Sequence, residues 1–320
     1  MDNLINNYHL PLRLHLVDGN DQKYFSIHIR PHIHLEQIQS VDLGYLSKSF
    51  NLNLFSNLKS LKCYVGDSDD VKQLIVPNQQ LEYISMVLSE EQSDQNNFSR
   101  ILEIIFSRCS KLKTFVFMLY APFGNETIWY DHLSQLTTRT TSLQNLIIHG
   151  YDFEFKSLLS LLDFVPHIRY LQGVSCHRDV YVASPVINDT DVPQSPSSLV
   201  YSNLLILKLA LSLTKFSRLE KFLKLFPNLQ QLHLFGLLFV NDINYLDAVQ
   251  WHRLLSSLLH LLRLEINLMV YLHDEVDNNS SIRELKQIFD RNSYLQERNI
   301  YLECNDNNGN DRRIMGDYRK

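Results

Sequence analysis

One short phrase recurs along the chain and constrains its fold more than any other feature of the sequence. Phe226–Leu232 reads FPNLQQL, and Val165–Leu171, Cys109–Phe115 and Phe55–Leu61 place apolar residues at the same positions. Looser copies bring the number to eight, with first core positions at 58, 81, 112, 143, 168, 204, 229 and 261. The mean interval between these starts is about 29 residues. Because apolar and polar residues alternate after each start, every copy predicts a short strand.

The intervals between the predicted strands have the spacing of amphipathic helices. Residues 99–109, 155–165 and 216–226 each repeat apolar side chains on one helix face. A unit of this size does not enclose its own apolar face, so stacking of successive units must bury the leucines. A period of this length headed by L-x-x-L-x-L is typical of leucine-rich repeats. We therefore predict an α/β fold, an irregular leucine-rich-repeat solenoid with a parallel sheet on the concave face and helices on the convex face. A non-solenoid α/β domain is the alternative.

Composition excludes several classes of function. A hydrophobic share of 45% in 320 residues is enough to bury a large core. The net charge of −5, with lysines and arginines scattered, leaves no basic surface for nucleic acid. The nine glycines lie too far apart for phosphate-binding glycine motifs, and the four distant cysteines predict reduced thiols. Neither a leader nor a membrane span is indicated, so we expect a cytoplasmic or nuclear protein that binds neither nucleic acid nor membrane.

Three regions differ from the repeats, which cover residues 55–303. Residues 1–54 contain two alternating runs, Pro11–Leu16 and Tyr24–Ile29, which predict strands that cap the first edge of the solenoid. Residues 178–201 are rich in proline, serine and aspartate, so we expect an exposed insertion. Residues 304–320 lack apolar periodicity and predict a disordered tail.

The phrase at Phe226–Leu234, preceded by an amphipathic helix, resembles the repeat unit of the leucine-rich-repeat class of F-box proteins. In that family the repeats bind the substrate or partner, and a helical F-box upstream docks on the adaptor of a cullin-type ubiquitin ligase. Here we expect the F-box to be absent or truncated, since only Met1–Tyr8 is similar to its trailing edge. The ninth position of the family repeat, usually Asn or Cys, is Cys only at Cys176. The resemblance implies a non-catalytic protein-interaction module like the substrate-recognition region of ligase receptors.

A histidine-rich segment near the start offers a different function. His28, His32, His34 and Glu36 supply enough nitrogen and oxygen donors for a metal ion, so the alternative is a metal-dependent or other hydrolase. The spacing of His28 and His32 would need a helix, whereas the alternation around them predicts a strand and Pro31 interrupts the segment. We therefore predict no catalytic residue, no metal site and no cofactor.

The residues between the leucines are predicted to face the concave side and to form rows across the strands. They are rich in Tyr, His, Arg and amides, which is typical of protein interfaces. One row should align Val174 with Ala210 and Phe235. We expect a protein partner there, with adaptor docking only if an F-box lies upstream. The predicted partner-binding residues are Tyr83, Asn145, Tyr170, Gln172, Lys208, Gln231, His233, Phe235, Arg263 and Glu265.

Overall fold

The computed structural model describes residues 11–45, 51–66, 68–75, 80–89, 97–120, 136–149, 155–176, 201–211, 214–238, 242–271, 279–304 and 311–319. The chain divides into two compact units, which we call the first unit (residues 1–151 with 163–167) and the second unit (residues 152–162 with 168–320). Both are mixed α/β structures built on mostly parallel strands. The predicted insertion at 178–201 lies outside the described residues, except for its last residue.

Parallel strands in sequence order form the first unit. Each of them pairs with the next, beginning with β1 and ending with β6. The strands are β1 (Leu12–Leu16), β2 (Ile38–Tyr45), β3 (Ser60–Val65), β4 (Tyr83–Ser89), β5 (Thr114–Tyr120) and β6 (Asn145–His149). Its α-helices within the described ranges are α1 (Gly19–Tyr24), α2 (Ser68–Leu74) and α3 (Asn97–Arg108).

The second unit combines parallel strands with two antiparallel ones. Strands β7 to β10 pair in parallel and in sequence order, β12 runs antiparallel to β10, and β11 runs antiparallel to β12. The strands are β7 (Tyr170–Cys176), β8 (Ile206–Leu211), β9 (Gln231–Leu238), β10 (Arg263–Tyr271), β11 (Tyr301–Cys304) and β12 (Asp311–Arg319). Its α-helices within the described ranges are α4 (Phe155–Phe164), α5 (Phe216–Leu223), α6 (Ala248–Ser257), α7 (Asn279–Arg291) and α8 (Ser293–Gln296).

All eight predicted strands are present, and each begins two residues after the first core position of its phrase. The first core residue closes a tight turn, as when the N–H of Leu229 donates to the carbonyl of Phe226 over 3.2 Å. The same turn occurs at Leu58 (3.2 Å) and Leu261 (3.1 Å). The α/β class and the parallel pairing within each unit are therefore confirmed.

A shared hydrogen bond joins each phrase to the one before it. The carbonyl of Leu205 accepts from the N–H groups of Gln230 (2.8 Å) and Gln231 (3.0 Å). The carbonyl of Gln230 in turn accepts from Leu262 (2.8 Å) and Arg263 (3.0 Å). One carbonyl thus satisfies two donors at the start of the next strand, which sets the register of the parallel pair.

The core of each unit consists of the phrase leucines and the apolar helix faces. Leu232, Leu264 and Leu207 have no solvent exposure. Helix α5 buries one face, because Phe216, Leu219 and Leu223 recur at spacings of three and four residues. Phe216 meets the Trp251 ring edge-on, with 5.1 Å between ring centroids. Burial of large aromatic side chains by neighbouring repeats is a main source of stability here.

The start of the chain differs from its prediction in two ways. The run Tyr24–Ile29 was expected as a strand, but it ends α1 and continues as a turn of π-helix. The Asp18 side chain caps α1 by accepting from the N–H groups of Asn20 and Asp21, which favours the helix over the strand. In contrast, Ile38–Leu43 forms most of β2, which sequence reasoning missed because isoleucine and valine stand at leucine positions. The strand predicted at Pro11–Leu16 is confirmed as β1.

The end of the chain corrects another prediction. Residues 304–320 were expected to be disordered, but every residue of Asp311–Arg319 pairs with β10 in an antiparallel ladder. Ile314 is fully buried in this strand, and Gly316 lies against Ile300. The pairing is with residues at least forty positions away, so no local periodicity was needed to form it. Residues 305–310 lie outside the described ranges.

We expect Ile314→Ala to lower the free energy of unfolding by about 2–5 kcal/mol, because it removes fully buried apolar atoms and leaves a cavity. Arg313→Ala, at the exposed neighbouring position, is the matched control and should change it by about 0.5 kcal/mol or less. Urea denaturation of the whole chain measures both. Equal, negligible effects of the two substitutions would mean that β12 does not form.

Candidate functional site

The candidate site is the sheet face that carries the side chains between the buried leucines, which we call the open face of each unit. In the second unit the strand register aligns Gln172 with Lys208, Lys208 with His233, and His233 with Glu265. A second row runs through Tyr170, Ile206, Gln231 and Arg263. Phe235 lies two residues after His233 on the same strand, and it is 40% exposed. Eight of the ten predicted residues therefore lie on four neighbouring strands.

The other two predicted residues belong to the first unit. Tyr83 pairs with Thr114, which in turn pairs with Asn145, so the two predicted residues are two strands apart. The Asn145 side-chain amide donates to the Thr114 hydroxyl over 2.9 Å. Tyr83 is 37% exposed on the open face of its unit.

A bulge at Gly173 shifts one of the predicted rows. Gly173 has φ of 86°, a backbone conformation that glycine adopts without a steric penalty. The register slips between Gln172 and Val174, so Val174 pairs with Leu209 and no longer with Ala210. The predicted alignment of Val174 with Ala210 is therefore wrong, and the bulge is the reason. The predicted alignment of Ala210 with Phe235 is confirmed.

A charged cluster occupies the centre of the open face of the second unit. The Glu265 carboxylate lies 2.7 Å from Nδ1 of His233 and 3.6 Å from Nη2 of Arg263. On the other side of His233, Lys208 Nζ lies 5.8 Å from the centre of the Tyr170 ring. The Tyr170 hydroxyl donates to Oε1 of Gln172. These contacts fix the orientation of six of the predicted residues before any partner binds.

His233 is the most buried member of the cluster, with 7% of the residue exposed. Burial lowers the pKa of its imidazole, and Lys208 and Arg263 lower it further, while Glu265 acts in the opposite direction. Neutral His233 therefore donates from Nδ1 to Glu265. Its Nε2 and the Nε of Arg263 are buried and have no hydrogen-bond partner in the described part of the chain.

Strand β12 adds residues to this face that sequence reasoning missed. Opposite residues of an antiparallel pair share a face, and Asp317 lies opposite Glu265 while Arg319 lies opposite Arg263. Beyond them, Tyr301 of β11 lies opposite Met315 and is 47% exposed. No sequence signal identified Asp317 and Arg319, because residues 304–320 were predicted to be disordered.

The histidine-rich segment does not assemble into a metal centre in the described ranges. Nδ1 of His34 lies 3.3 Å from Glu36, and the His28 ring packs 4.8 Å from the Tyr24 ring. No group of three or more His, Cys, Asp or Glu side chains that could hold a metal ion is found among the described residues.

Two cysteine thiols are poor nucleophile candidates. Burial raises the pKa of Cys109 to about 12, and burial together with Asp42 raises that of Cys63 even further. A thiol must ionise to act as a nucleophile, so both side chains stay unreactive at neutral pH.

A comparison with models of protein families finds no match for this chain. A search of curated proteins likewise finds no similar sequence. In the part of the chain that the structure describes, no helix is both long and apolar enough to cross a membrane.

The pKa of His233 tests the geometry of the charged cluster. We expect it to lie below 6.5 and to fall further in Glu265→Gln, because the carboxylate favours the charged imidazole. Lys208→Met should raise it, because a nearby positive charge is removed. NMR titration of the imidazole ring protons measures each pKa, and Glu303→Gln, on the edge strand, is the matched control. A rise of the pKa in Glu265→Gln would contradict the arrangement.

Proposed function

We propose that this chain is a non-catalytic protein-interaction module that binds a protein partner on its open face. The observation that carries the proposal is the alignment of predicted binding residues across four neighbouring strands. Aromatic and arginine side chains at the centre of a surface are those that contribute most to protein binding. Phe235 and Arg263 are such residues, and both are partly exposed.

The proposed architecture is an irregular leucine-rich-repeat solenoid, with the open face on its concave side. The constant position of the strands within the phrases supports it, since each strand begins two residues after the first core position of its phrase. Two further strands extend the pattern, because the register aligns Val41 of β2 with Leu61 and Leu14 of β1 with Val41. Solenoids commonly use the concave face for binding.

The resemblance to F-box proteins suggests the kind of partner. A chain of this type would act as the substrate-recognition region of a ubiquitin-ligase receptor, in the cytoplasm or the nucleus. Docking on the ligase adaptor is part of the proposal only for a chain with an F-box ahead of Met1. The unreactive thiols of Cys63 and Cys109 leave neither of them as a nucleophile.

Phe235→Ala and Arg263→Ala test the binding face. Each should lower affinity for captured proteins by about 30-fold, since truncating a central anchor costs about 2 kcal/mol or more. Leu259→Ala and Arg291→Ala are matched controls at exposed positions outside the open-face rows, and should leave capture unchanged. Affinity purification from cells with quantitative mass spectrometry measures capture, and circular dichroism verifies folding.

The proposal fails if both open-face variants retain every partner of the parent chain. If substitutions on α6 and α7 abolish capture under the same conditions, the helices carry the interface instead.

A further inference from the structure

A cavity of about 300 Å³ opens on the open face of the first unit, where β1 to β4 begin. It arises from two rows of aligned residues. In the first row Arg13 pairs with Ser40, and in the second His15 pairs with Asp42 and Asp42 with Lys62. The polar lining consists of Arg13, Ser40, Asp42, Ser60, Lys62 and Tyr83.

Asp42 organises the charges around this cavity. Its side chain is only 9% exposed, and its Oδ2 lies 3.7 Å from Nη2 of Arg13, 3.3 Å from Nδ1 of His15 and 3.5 Å from Nζ of Lys62. The side chains of its three partners are more exposed: that of Arg13 is 71% exposed, that of His15 62% and that of Lys62 43%. A buried carboxylate therefore gathers basic groups that still reach the solvent.

We infer that this cavity binds the carboxylate of an Asp or Glu side chain from a bound protein segment. The carboxylate accepts hydrogen bonds from Arg13 and Lys62, and the hydroxyl groups of Ser40, Ser60 and Tyr83 supply further donors. The inference rests on the proposed function only for the claim that the carboxylate comes from a protein. The ability of the cavity to bind a carboxylate does not depend on that function.

Charge balance favours a carboxylate over other ligands. Arg13 and Lys62 carry two positive charges, and Asp42 carries a single negative charge. One positive charge is therefore left for the ligand to neutralise. A cationic ligand would meet Arg13 and Lys62 on its way to Asp42. Many phosphate sites also use free backbone N–H groups at helix starts or turns, whereas the backbone lining this cavity lies in paired strands.

The test uses small free probes with the purified full chain. N-acetylglutamate N-methylamide presents the carboxylate, N-acetylglutamine N-methylamide is its neutral isostere, and N-acetylphosphoserine N-methylamide presents a phosphate. NMR titration should show saturable shifts of the Arg13, Ser40 and Lys62 amides with the glutamate probe only.

Variants locate the binding to the cavity. Lys62→Gln and Arg13→Gln should each raise the dissociation constant of the glutamate probe about tenfold, the effect expected from one charge-assisted hydrogen bond. Lys59→Gln makes the same charge change at an exposed position outside the cavity lining, and should leave it unchanged.

Three results would overturn the inference. They are the absence of saturable shifts, tighter binding of the phosphoserine probe, and equal weakening by Lys59→Gln and Lys62→Gln. A different result separates this inference from the proposed function. If the glutamate probe binds saturably but the chain captures no protein through Phe235, the proposed function is wrong and the carboxylate does not come from a protein segment. The cavity would then remain a site for a free carboxylate.

Discussion

The shared hydrogen bond between successive phrases is the interaction on which the rest of the structure depends. A carbonyl such as that of Leu205 accepts two N–H groups of the next phrase, and this fixes where the next strand begins. A slip of one residue would turn every leucine to the open face and every charged residue to the core. Burial of Leu207, Leu232 and Leu264 therefore stabilises the same register that the hydrogen bonds select.

That register also decides which side chains are available for function. Alternation sends the leucines to one face, so residues of different strands meet on the other without being neighbours in sequence. The second unit uses this to bring Lys208, His233 and Glu265 into one row of polar side chains. The first unit uses it to surround Asp42 with Arg13 and Lys62. Both groups are oriented by their own contacts, which reduces the entropy cost of binding a partner.

The sequence predicted those parts of the fold that depend on local pattern. The eight leucine phrases predicted eight strands, and their alternation predicted the central rows of the open face. The strand at Ile38–Leu43 was not predicted, because isoleucine and valine stand there at leucine positions. A strand was wrongly predicted at Tyr24–Ile29, because apolar and polar residues alternate there although the segment continues a capped helix. Strand β12 depends on pairing with distant β10, and the bulge at Gly173 depends on backbone conformation. Neither effect has a signature in a single local window, so the residues that β12 adds to the open face could not be predicted.

The central claim is that the phrases fix one parallel register in which the residues between the leucines share a row. Interstrand nuclear Overhauser effects in the isotopically labelled full chain test it most directly. The account predicts effects that link the backbone protons of His233 with those of Lys208 and Glu265 in a parallel pattern. Effects that link His233 with Leu207 and Leu264, or an antiparallel pattern between these strands, would contradict it.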